Sequence, residues 1–222
     1  SAATVAIVGM GGLGSPVAMY LAGAGVGTLR LIDGDVVDLT NLHRQPVHDE
    51  TGIGLSKVDT AADVLIAING QIHAEAHRED VDADNAMRLL GGADLIVDAT
   101  DRIPARYAIN EAAVEMGIPM VHASVFRFEG RLTVFHPPDG PCYRCLHPTE
   151  PEPGTVPTCE AVGVLGPVPA VLGSMQATEA LKLLLGIGTP LVGEMLVWDA
   201  LNQETNTFRI PRTPDCAVCG AI

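Results

Sequence analysis

At 222 residues, 47% hydrophobic and only 18% charged, the chain can bury one sizeable core, and a single domain is the better prior than two. That composition excludes a disordered chain, and a formal charge of −14 argues against a nucleic-acid backbone as partner, since that wants a basic face. No apolar run is long enough to span a bilayer and the sequence opens directly into a strand-like run rather than a signal peptide, so no membrane is expected and the cytoplasm is the expected location.

The first run, Thr4-Val5-Ala6-Ile7-Val8, is apolar and rich in β-branched residues, which predicts a strand. It stops at Gly9-Met10-Gly11-Gly12-Leu13-Gly14, and Pro16 to Gly23 reads as a small-residue helix. A second strand, Thr28 to Ile32, ends on Asp33. Strand, glycine turn, helix, strand and terminal acid form the nucleotide-binding half of a Rossmann-like fold. Glycine lets the backbone approach a phosphate, the helix start offers free N–H groups, and the Asp33 carboxylate suits ribose hydroxyls.

A polar loop from Gly34 to Gln45 holds Asp35, Asp38, Asn41 and Arg44. Leu55 to Asn69 is periodic and helical, with Lys57 in its first turn. A cation there opposes the helix dipole, a placement better explained if Lys57 points at phosphate than if it is merely solvated. An edge-like strand over Ile72–Ala76, a helix over Ala83–Leu90, a strand over Asp94–Ala99, a helix over Tyr107–Met116 and a strand over Met120–Ala123 follow. The alternation implies a parallel, doubly wound α/β sheet. Phe126 to Phe135 reads as two strands turning at Glu129-Gly130, so antiparallel strands should extend the sheet. Pro137 to Pro157 is irregular; a helix over Ala170–Leu185 and strands over Met195–Trp198 and Asn206–Ile210 close the chain.

Five cysteines, four of them in C-x-x-C pairs, fit a metal site and one spare thiol better than a secreted disulfide framework. Cys142, Cys145, Cys216 and Cys219 supply the four thiolates of a closed, structural Zn²⁺ site that staples the end of the chain to the proline-rich stretch; two disulfides or a redox pair are the alternatives. Cys159 is the spare thiol, a nucleophile or an inert free cysteine.

Ligands of a doubly wound sheet sit at the carboxyl ends of its strands; Asp33 and Asp101 are both read as ending strands and so should border one crevice, with Mg²⁺ beside a triphosphate as a use for Asp101. Arg44 and Lys57 bring more positive charge than a dinucleotide pyrophosphate needs on top of the glycine turn, which moves the reading from NAD to ATP. The bland alternatives are Arg44 in a surface ion pair and Asp101 capping the next helix.

These residues, together with Asp38-Leu39-Thr40-Asn41-Leu42-His43-Arg44-Gln45, Asp98-Ala99-Thr100-Asp101, both C-x-x-C pairs and Thr158-Cys159-Glu160-Ala161, resemble the ThiF/MoeB/ubiquitin-activating superfamily over nearly the whole chain. The resemblance implies ATP-dependent adenylation of the C-terminal Gly-Gly carboxylate of a small ubiquitin-like sulfur-carrier protein, with release of pyrophosphate, in molybdenum-cofactor, thiamine or related sulfur-transfer pathways. It places Gly12 against the phosphates, Asp33 on ribose, Asn41, Arg44 and Lys57 at the β/γ-phosphates, and Asp101 beside Mg²⁺. It makes Cys159 the loop cysteine that forms a covalent intermediate in some members, puts a crossover loop at about 148–158 and implies a homodimer. The family pattern has a helical segment ahead of the first strand that lends an arginine to the neighbouring subunit, and this sequence opens at the strand. The position after Asp101, Asn in the pattern, is Arg102, which supplies that cation in cis or alters the nucleotide contact. No rhodanese-like domain follows the last cysteine pair, so sulfur is expected from a separate donor protein. Readings kept open beside this one are an NAD-dependent oxidoreductase and a non-catalytic carrier-binding scaffold.

Overall fold

The computed structural model describes residues 2–152, 154–155 and 163–222. Cys159 and part of the expected crossover loop, residues 153 and 156–158, lie outside the described residues. The elements are β1 (Thr4–Val8), α1 (Gly14–Gly23), β2 (Thr28–Ile32), α2 (Lys57–Ile68), β3 (His73–His77), α3 (Ala86–Leu90), β4 (Leu95–Asp98), α4 (Ile103–Met116), β5 (Met120–Phe126), β6 (Glu129–Phe135), α5 (Tyr143–Leu146), α6 (Pro167–Leu185), β7 (Glu194–Asp199) and β8 (Glu204–Arg209). A 3₁₀ segment, Leu39–Arg44, stands between β2 and α2.

One eight-stranded sheet runs β3-β2-β1-β4-β5-β6-β7-β8. The first five strands pair in parallel, and β6, β7 and β8 are added antiparallel. Helices cover both faces. α1, α2 and α6 bury Val17, Leu21, Val58, Leu65 and Leu172 against one face, with Val5, Ile7 and Val97 from the strands. α3 and α4 bury Leu89, Leu90, Ile109 and Ala112 against the other, with Ala6, Val8, Ile32 and Ile96. β1 and β4 are therefore apolar on both faces, which is why their sequences run without alternation.

Chain order leaves β1 for β2 on one side and later returns to β4 on the other, which opens a crevice beyond the carboxyl ends of β1 and β4. The floor there is tight. Gly9 has φ +94°, and a Cβ on it would lie 2.8 Å from the Ala99 carbonyl oxygen.

Three expectations are corrected. The turn between β5 and β6 falls at Arg127-Phe128, with Arg127 at φ +54°, and not at Glu129-Gly130. Gly130 is inside β6, where a Cβ would meet Leu172 at 2.3 Å, so its missing side chain serves packing by α6. Helices α4 and α6 begin earlier than read, with Pro104 and Pro167 in their first turns where a missing N–H costs nothing. Asp101 does not end a strand: β4 stops at Asp98, and Asp101 stands in the turn before α4, whose N-cap is Arg102.

Candidate active site

The glycine turn is held by contact rather than by sequence habit alone. A Cβ on Gly14 would lie 1.8 Å from the Gly9 carbonyl oxygen, and one on Gly12 would press at 3.0 Å on Pro169 and 3.1 Å on the Arg44 carbonyl. The turn closes on Asp33, whose Oδ2 accepts from the Met10 N–H at 2.7 Å and Oδ1 from the Asp35 N–H at 2.8 Å. Each oxygen keeps a lone pair for a further donor. Burial pushes the Asp33 carboxyl above the usual range, and the nearby Lys57 ammonium and the two N–H groups oppose that rise.

The cleft beyond this turn is lined by Gly12, Asp33, Asn41, Arg44, Lys57, Asp101 and Arg102, so every residue singled out for nucleotide among the described ones meets in one place. Lys57, the first residue of α2, is buried, and its Nζ donates to Asp35 at 2.8 Å; it is not a solvated lysine. Arg44 forms no carboxylate ion pair among the described residues. Its guanidinium donates to Asn41 Oδ1 and, at 3.4 Å, to the Thr40 carbonyl, with His43 Nε2 3.0 Å away. Asp38 fixes this segment by accepting from the Thr40 N–H at 2.8 Å. Gln45 Oε1, buried at the cleft wall, has no hydrogen-bond partner among the described residues, an orphaned acceptor that a bound donor would satisfy.

Three cleft residues, Asp80, Arg106 and Glu79, gave no signal in the sequence. Asp80, which lies beyond β3, is ion-paired with Arg102. Arg106, one turn into α4, donates to the Thr100 carbonyl at 2.8 and 3.2 Å. Glu79 also lines the cleft, beside Thr100 of the Asp98–Asp101 motif. The segment from Thr100 to Asp101 is anchored from beneath, because Asp98 Oδ1 accepts from the Thr100 N–H at 3.2 Å and its Oδ2 contacts His122 Nδ1 at 2.6 Å. Burial holds the His122 imidazole below its ordinary range, with Asp98 pulling the other way. Five carboxylates (Asp33, Asp35, Glu79, Asp80, Asp101) thus face four cations (Arg44, Lys57, Arg102, Arg106), leaving the described lining formally negative. The expected surplus of positive charge is absent from these residues alone, and a triphosphate needs added cationic charge to settle there.

The four C-x-x-C sulfurs come together, all within 4.8 Å of one another, tying the chain end to the segment after β6. The separations Cys142–Cys216, Cys145–Cys219 and Cys142–Cys145 are 3.6, 3.5 and 4.0 Å. A tetrahedral ion at about 2.3 Å from each sulfur has edges of about 3.8 Å, so the set fits Zn²⁺. A disulfide needs roughly 2.05 Å, and all four thiols are free. Burial pushes the Cys142 thiol up, the cost a bound cation would reverse. With four protein ligands the site has no open position for substrate.

A doubly wound sheet extended by antiparallel strands, a glycine turn facing a polar cleft and a distal four-cysteine cluster that fits a metal ion define an α/β protein of Rossmann-like topology. The ThiF family model matches residues 1–218, and the chain belongs to that family. Within it the chain groups with the adenylyltransferases. It is 45% identical to the sulfur carrier protein adenylyltransferase of Thermus thermophilus, over 98% of this chain and 82% of that one. It is 46% identical to the SAMP-activating enzyme E1 of Haloferax volcanii, over 97% and 80%. It is 47% identical to the mouse adenylyltransferase and sulfurtransferase MOCS3 over 99% of this chain, but spans only 48% of that protein. Among solved structures, Escherichia coli MccB crystallised with ATP shares the fold, with a TM-score of 0.87 at 23% identity over 98% of this chain and 67% of that one. No helix among the described residues is long and apolar enough to cross a membrane.

Proposed function

We propose that the chain uses ATP to adenylate the C-terminal Gly-Gly carboxylate of a small ubiquitin-like sulfur-carrier protein, releasing pyrophosphate and leaving the carrier ready for sulfur from a separate donor protein. The observation that carries this reading is the meeting of the glycine turn, Asp33, Asn41, Arg44, Lys57 and Asp101 in one cleft. The names of the relatives at about 45% identity support the substrate class.

In this reading Asp33 accepts the ribose hydroxyls while the N–H groups at the start of α1 meet the phosphates. Arg44, oriented by Asn41, and Lys57 take the β- and γ-phosphates, Lys57 leaving Asp35 to do so. Asp101, exposed at the rim, would hold Mg²⁺, which supplies the positive charge that the lining lacks. The carrier carboxylate is already ionised at pH 7 and needs no general base. Its oxygen bonds to the α-phosphorus as the bond to the bridging oxygen breaks, and the electron pair leaves with pyrophosphate. Positioning and charge cancellation carry the rate. The zinc site holds the fold and takes no part in the chemistry. A homodimer is part of the same proposal.

The test is ATP–pyrophosphate exchange with and without a carrier ending in Gly-Gly. Exchange that needs the carrier and is lost in Asp101→Ala supports the reading. Carrier binding without exchange would leave a docking scaffold, and hydride transfer to a nicotinamide would replace it with an oxidoreductase.

A further inference from the structure

The proposal above uses the glycine turn, Asp33 and the Arg44 and Lys57 side of the cleft and leaves the opposite side without a role. There the wall changes character. Val8 and Ile32 present their side chains to the α3–α4 face, and Val81 and Ala105 join them in the same buried cluster. All four line the cleft, so its floor on this side is apolar. Phosphates, drawn to the start of α1, lie toward the other face, since α1 packs on the opposite side of the sheet. A nucleoside whose ribose rests on Asp33 therefore directs its base over Val8, Ile32, Val81 and Ala105.

Across this slot stands the Asp80–Arg102 ion pair, with side chains 49% and 56% exposed, open to a ligand. Its position is built. A Cβ on Gly34, the residue after Asp33, would lie 3.0 Å from the Asp80 carboxylate, so glycine there lets Asp80 stand beside the ribose acid. The Asp80 carbonyl accepts from Asn85 Nδ2 at 2.9 Å, which pins the backbone.

We propose that Asp80 and Arg102 are the base-recognition element of the nucleotide site, Asp80 accepting the 6-amino group of adenine and Arg102 covering the ring face. The assignment rests on the nucleotide reading of this cleft. An ionised carboxylate only accepts hydrogen bonds, so it rewards the amino group of adenine and opposes the carbonyl that guanine carries at that place. A guanidinium is planar and stacks on an aromatic face, and held by Asp80 it is pre-oriented to do so. Arg102 thereby acts on the base and is not a substitute phosphate ligand.

The experiment is competition by ATP and by GTP, each with Mg²⁺, against a fluorescent adenine nucleotide, on the unmodified chain, Asp80→Asn and Arg102→Ala. The unmodified chain is expected to favour ATP. Asn offers an amide donor to guanine, so Asp80→Asn should reduce the ATP-to-GTP preference about tenfold or more. Arg102→Ala should weaken both nucleotides several-fold, because a stacked guanidinium covers either purine. An unchanged preference in Asp80→Asn with ATP binding intact overturns the base assignment alone. Failure of the unmodified chain to bind either nucleotide overturns the nucleotide reading and this assignment with it.

Discussion

Replacing Lys57 by methionine removes one positive charge while keeping the buried stem. The side chain is 6% exposed and its ion-pair partner Asp35 is 69% exposed, so water solvates Asp35 once the ammonium is gone. Buried Asp33 also loses the nearby charge that opposes the rise of its carboxyl, but keeps its two N–H donors. Methionine also relieves a cation at the start of α2, an unfavourable place worth about 0.3–1 kcal/mol. Folding stability should therefore stay within about 1 kcal/mol of the parent. Against the departing pyrophosphate the accounting differs. A unit charge about 4 Å from another, at an effective dielectric of about 20, interacts by about 4 kcal/mol, or about a thousandfold in rate. Part of that is offset by giving up the Asp35 contact, so a loss of about a hundredfold to a thousandfold in carrier-dependent exchange is expected. Exchange and thermal unfolding measured on the same preparation separate the two effects. An exchange rate within about threefold of the parent, at unchanged unfolding temperature, would refute the placement of Lys57 on phosphate.

Gly14→Ala must push the Gly9 carbonyl aside, a strain of about 1–3 kcal/mol that denaturant unfolding would register together with loss of nucleotide binding. Metal analysis of the purified chain should find zinc in equal ratio to protein, and Cys219→Ser should lower both zinc content and unfolding temperature; full stability with no zinc contradicts the site. Burial holds His48 and His122 below the ordinary imidazole range, so both take up a proton less readily in the fold than in the unfolded chain, where imidazole titrates at about pH 6.5. Their stabilising effect is complete above that pH and is lost as pH falls below it, so the urea midpoint should drop between pH 7.5 and 5.5, and by less in His48→Gln.

Much of this arrangement was legible in the residues. β1 and β4 are short runs of β-branched and apolar residues, buried on both faces, and such runs leave little choice but a central parallel strand. The glycine turn and Asp33 were legible because backbone geometry demands those residue types. What failed was the reading of Gly130 as a turn residue. Glycine marks positive φ in a loop but also marks close approach in a strand, and only the position of Leu172 decides between them. Pro104 and Pro167 likewise hid helix starts, because a proline outside its helical context reads as loop. Asp35, Asp80 and Arg106 left no local pattern. They reach the cleft from the loops after β2 and β3 and from the first turn of α4, and their meaning is set by partners, Lys57, Arg102 and the Thr100 carbonyl, that no spacing rule connects. The excess of carboxylates over cations in the lining emerged only once these residues stood beside the ones already singled out.

The most direct test of the central claim is a crystal of the chain grown with ATP and magnesium. The account predicts nucleotide beside the turn from Gly9 to Gly14, ribose on Asp33, and Arg44 and Lys57 turned to the β- and γ-phosphates with Lys57 released from Asp35. Nucleotide bound there while Arg44 and Lys57 face solvent, or a cleft left empty at saturating ATP, would contradict it.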